Sequence, residues 1–148
     1  MLRYLIIVLF LLLPYQVMAS SNDYPASIKN KENIDLREDI PSWKLIEIFT
    51  LKQTTWEKTH PSTIKIYLPD NRLVMNRFCA NFLNMPFSKY KNIIQSNIYQ
   101  GKARKPEYLP SSTQIITKVY NHNNVIGVIR EGIFISKDGV VQFIEVGF

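Results

Sequence analysis

At 148 residues and 46% apolar content, the chain can build one ordinary hydrophobic core but not a multidomain assembly. Its 18 basic and 12 acidic residues leave a net charge of +6, and without a recognised nucleic-acid motif that moderate excess gives no support to DNA or RNA binding. The single cysteine, Cys79, excludes a disulfide framework within the chain.

Met1 to Ala19 has the order of a secretory leader. Arg3 supplies a positive start, Leu5 to Leu13 is an unbroken apolar run, and Val17-Met18-Ala19 offers a small-residue cleavage site. The apolar run is short against the roughly 20 residues of a membrane span, so cleavage is expected and no stable membrane anchor remains. No cysteine stands just after the run to carry a lipid. The expected division is a signal peptide over 1–19 and a single domain over 20–148, working outside the cytoplasm. Ser20 to Asp39 is polar and mixed in charge, with Ala26 to Lys29 as a short first strand and the rest a solvated connector.

From Ile40 the pattern becomes periodic. Ser42 is a candidate cap for a helix whose Trp43, Leu45, Ile46, Ile48 and Phe49 recur at three- and four-residue steps, which predicts one apolar stripe. The helix ends near Thr50 or Leu51, and Trp56 follows. Thr63 to Leu68 alternates Ile64, Ile66 and Leu68 against Lys65 and Tyr67, a strand with one apolar face that Pro69 stops. Asp70 or Asn71 then caps a helix through Asn84, with Val74, Met75, Phe78, Phe82 and Leu83 inward. Cys79 lies one turn beyond Met75 on that face and reads as core filler rather than as a nucleophile.

Pro86-Phe87-Ser88 opens a further helix, with Tyr90, Ile94 and Ile98 at four-residue spacing, Ile93 beside them and Gly101 as its stop. Ser111 or Ser112 caps another, with Ile115, Ile116, Val119 and Tyr120 inward. After a turn over Asn121 to Asn124, the run Val125 to Ile129 suits a strand buried on both faces. Ile133 to Ile135 and Val140 to Val146 form a hairpin through Asp138-Gly139.

His60 and His122 are isolated and offer no zinc spacing. No nucleophile elbow, P-loop or dinucleotide fingerprint occurs, and no carboxylate pair can be argued, so an enzyme is the least supported class and no cofactor is implied. The free N–H groups at the helix start near Asn71 make Asp70, Asn71, Arg72 and Leu73 the candidate anion site, with the Arg72 fork suited to phosphate oxygens. Lys102, Arg104 and Lys105 form a second basic patch, which could draw phosphate, anionic lipid or an acidic partner, or simply be a solvated loop.

The succession of Ile48-Phe49-Thr50-Leu51-Lys52 to Trp56, the strand, the helix with Phe78, Ile98-Tyr99-Gln100-Gly101-Lys102-Ala103 to Pro106, and Val125-Ile126-Gly127-Val128 resembles a known family. It is similar to the second lobe of the phosphate-binding receptors of phosphate ABC transporters, and more closely to their short single-lobe periplasmic relatives. The resemblance covers nearly everything after about Ala26. It implies a three-layer α/β sandwich, one lobe of a type 2 periplasmic-binding-protein fold, located in the periplasm. It also implies phosphate or another small oxyanion as ligand, or a periplasmic protein partner if the lobe has become a scaffold. The chain departs from the family at three places. Leu51 and Ala103 replace expected glycines, and Asn71-Arg72-Leu73 stands where the receptors carry a Ser-Gly-Thr phosphate loop. No first lobe is expected before Ile40.

Overall fold

The computed structural model describes residues 40–57 and 62–147. The expected leader, the strand at Ala26 to Lys29 and His60 lie outside the described residues. Among the described residues, four helices and five strands follow in order. They are α1 (Ser42–Phe49), β1 (Lys65–Pro69), α2 (Arg72–Asn81), α3 (Phe87–Tyr99), β2 (Glu107–Leu109), α4 (Ser112–Asn121), β3 (Val125–Ile129), β4 (Gly132–Lys137) and β5 (Val140–Glu145).

The strands form one mixed sheet in the order β2-β1-β3-β4-β5. β1 runs parallel to both β2 and β3, with Tyr67 beside Glu107 on one side and beside Gly127 on the other. β3, β4 and β5 then form an antiparallel meander through two tight turns. Side chains alternate between two cores, as strand geometry requires. Ile64, Ile66, Leu68, Ile126, Val128, Ile133 and Ile135 face the larger core, shared with α1, α2 and α3 through Phe49, Phe78, Cys79, Tyr90 and Ile94. Tyr67, Val125 and Ile129 face the smaller core under α4, filled by Ile115, Ile116 and Val119. Helices therefore cover both faces, the expected α/β layering. β3 is buried along its whole length, as its continuous apolar run predicts.

Three local expectations are corrected. Ser42 is the first residue of α1 rather than its cap; Pro41 holds the cap position and no side-chain bond is made there. A proline fits because its missing N–H costs nothing at a helix start. Trp43, expected in the buried stripe, is 60% exposed, because the inward arc of so short a helix is filled by Leu45, Ile48 and Phe49. Tyr67, which the strand's alternation set opposite its one apolar face, is buried as well, because α4 covers that second face.

The end of α1 is tied to α3 rather than left to water. The Tyr90 hydroxyl donates to the Phe49 carbonyl at 3.1 Å, and the Asn97 amide donates to the Thr50 carbonyl at 2.9 Å. These bonds satisfy carbonyls that a helix terminus otherwise leaves unpaired. Leu51, with φ 60° and only 5% exposure, follows in the left-handed region that favours glycine. Its buried side chain offsets that conformational cost.

Candidate functional site

The crossover from β1 to β2 runs over one face through α2 and α3, and the return to β3 runs over the other through α4. β3 lands on the opposite side of β1 from β2. The C-terminal end of β1 is therefore the point where connections diverge, the usual crevice for ligands in an open parallel sheet. Asp70, Asn71, Arg72 and Leu73 occupy that point, and all four are exposed.

Asn71 is the N-cap of α2. Its carboxamide oxygen accepts from the N–H groups of Leu73 and Val74 at 3.0 and 3.1 Å. Two of the donors an anion would use already have a partner, which leaves the Arg72 N–H and guanidinium as the principal donors. The Asp70 N–H is also engaged, donating to the Leu109 carbonyl at 2.8 Å. Asp70 contributes a carboxylate beside Arg72, so the turn carries no net charge. That negative field reaches the half-buried Tyr108, whose hydroxyl is held above its ordinary range by burial first, then by Cys79 and Asp70. A bound oxyanion would have to share this turn with Asp70.

Two further elements reach the same end of the sheet and were not legible as site residues. Ser111, the N-cap of α4, follows β2 directly, and its hydroxyl accepts from the Gln114 N–H at 3.2 Å. Arg130 follows β3, which runs beside β1 in parallel register, so it emerges at the end where Asp70 does. Only strand order brings Arg130 to this place. A sequence shows a charged turn after an apolar run, but not which strand lies next to it.

The second basic patch lies elsewhere. Arg104 and Lys105 precede β2 and, with Thr63, Ile64, Lys65, Ile66, Tyr67 and Glu107, line a shallow groove of about 200 Å³. This groove sits at the N-terminal ends of β1 and β2, separated from Asn71 by the length of a strand, roughly 16 Å at 3.3 Å per residue. Glu107 opposes its cations and, after burial, is the second cause that raises the Tyr67 hydroxyl. Lys102 is exposed in the preceding loop. The two candidate sites are thus not brought together.

Among the described residues no group of three or more His, Cys, Asp or Glu side chains could hold a metal ion, and no helix is long and apolar enough to cross a membrane. Cys79 is fully buried, and burial pushes its thiol from 9.0 up to about 12. A thiol so displaced is a poor nucleophile at neutral pH. Searches of protein-family models, of curated proteins and of solved structures each find no match to the chain.

Proposed function

We propose that the chain is an exported, non-enzymatic lobe of the phosphate-receptor kind that binds phosphate or a related small oxyanion weakly. The observation that carries this reading is the position of the Asp70–Leu73 turn at the C-terminal end of β1, between parallel neighbours β2 and β3. A helix N-terminus with an arginine at such a switch point can offer a backbone donor and a charged fork together. The donors left by Asn71 are few, Asp70 opposes the charge, and all four residues of the turn are exposed to water. Affinity no better than about millimolar, or roughly −4 kcal/mol, follows.

A second reading is favoured by one specific observation, the Asn71 cap. Where the receptors place hydroxyls and a glycine to receive an oxyanion, this chain closes its own helix start with a side chain. On that reading the lobe is a periplasmic scaffold that docks a protein partner and has lost the ligand.

Calorimetric titration of the exported protein with phosphate, sulfate and small carboxylates separates the two. Weak, salt-sensitive heats with phosphate support the anion-binding reading, because charge-assisted bonds at an exposed site are screened. No heat with any anion at tens of millimolar supports the scaffold. Mass spectrometry of the same preparation tests export, with an N-terminus at or beside Ser20 expected and only full-length, membrane-held chain against it.

A further inference from the structure

We infer that the free edge of β5 pairs with the same edge of a second copy of this chain, antiparallel across a two-fold axis at Phe143. Among the described residues β5 ends the sheet and is bonded on one side only, to β4. The turn before it has two residues, Asp138 and Gly139, with φ 52° and 79°. In such a turn Lys137 and Val140 form the closing hydrogen-bonded pair. Bonding then alternates along the strand. Val140, Gln142 and Ile144 direct their backbone groups to β4, while Val141, Phe143 and Glu145 direct theirs outward.

The two edges of the sheet differ in chemistry. β2 has three residues, follows Arg104-Lys105-Pro106 and is followed by Pro110. A short edge flanked by cations and prolines is protected against strand addition. β5 keeps unbroken register with β4 for six residues, contains no proline, lysine or bulge, and leaves Val140 38% and Phe143 42% exposed. None of the protective devices seen at β2 is present.

An outward row of N–H and C=O groups at two-residue spacing is matched only by another extended backbone. A second copy of β5 matches it in phase. Antiparallel pairing of the outward groups sets Phe143 opposite Phe143 and Val141 opposite Glu145. The two Glu145 carboxylates then sit at opposite ends of the joint, and no like charges face each other. The two Phe143 rings meet on the face where Phe143 already lies 4.6 Å from Phe134, itself 6.3 Å from Tyr120. Two short aromatic rows become one. Gly132 leaves room for the ring, since a Cβ there would come within 2.9 Å of the Phe143 ring edge and run into the Ile144 carbonyl. One strand pair buries less than the roughly 1,200 Å² of a standard stable interface, so the dimer is weak and concentration-dependent.

Sedimentation of protein purified from cells producing the full chain, from micromolar to millimolar concentration, tests this. A monomer–dimer equilibrium is expected. Phe143→Lys should abolish it by placing two ammonium groups on the axis, with the melting transition retained. Glu145→Pro should weaken it as well, because it removes an outward N–H and leaves the β4 ladder intact. A short thiol crosslinker should join Phe143→Cys chains to each other and fail on Val140→Cys, whose thiols would lie two strand ends apart; buried Cys79 serves as the unreactive control. A monomer at every concentration overturns the proposal. So does a dimer that survives Phe143→Lys, or one that crosslinks through Val140→Cys instead.

Discussion

Phe49 has no exposed surface, and its ring meets Phe78 edge-on at 4.9 Å and Phe82 at 6.2 Å. Phe49→Ala therefore removes ring contacts as well as buried area and should cost about 3–5 kcal/mol in a denaturant melt. Exposed Lys52, three residues on, should be close to neutral as Lys52→Ala. Equal midpoints for the two variants would mean that α1 does not carry the core. The titratable groups beneath it give a pH prediction. Cys79 is pushed up to about 12 and Tyr90 well above its ordinary value, both chiefly by burial. Between about pH 9 and 12 the unfolded chain loses the Cys79 proton and the native chain keeps it, so stability falls as pH rises through that window. Stability should fall less steeply there in Cys79→Ala, and a thiol reagent at pH 8 should label native protein only as fast as it opens. Rapid labelling of the folded protein would contradict the buried assignment. Cys79 as core filler was readable from spacing alone, because a helix face is local.

At the scale of elements, legibility follows the range of the interaction that makes each one. The three longer helices, β1, β3 and the β4–β5 hairpin were readable because period, caps and a two-residue turn are written within a few positions. β2 was not. Glu107-Tyr108-Leu109 carries no alternation, and it is a strand because β1 offers a parallel edge at Tyr67 to Pro69. Trp43 was misplaced for a related reason, since an eight-residue helix buries only the arc its neighbours can reach. Two substitutions test the elements around the candidate site. Asn71→Ala should lose the two cap bonds and about 1 kcal/mol, with Asn71→Gly costing only a few tenths. Gly127→Ala should cost about 1–3 kcal/mol, because a Cβ there would stand 2.5 Å from Ile115 Cγ2 and 3.0 Å from Val119 Cγ2. Urea titration reads both. A neutral Gly127→Ala would show that α4 does not press on β3 as described.

For the whole molecule, the α/β layering was legible and the strand order was not. The sequence alone marks Asn71 as a helix start; strand order puts it at the divergence of the two crossovers, with Arg130 and Ser111 at the same end and Arg104 and Lys105 at the other. The expectation that the helix start offers free N–H groups is tempered by Asn71 itself, whose side chain a sequence marks as a cap but not as a competitor for the ligand. The central claim is that this turn, and not the groove at Arg104, is where an oxyanion binds. A phosphate titration followed by residue-resolved amide NMR tests it most directly. The account predicts saturable shifts centred on Arg72 and its neighbours, with a midpoint no tighter than about millimolar, lost in Arg72→Ala while the fold is kept. Micromolar binding that survives Arg72→Ala, or shifts centred on Arg104 and Lys105, would contradict it.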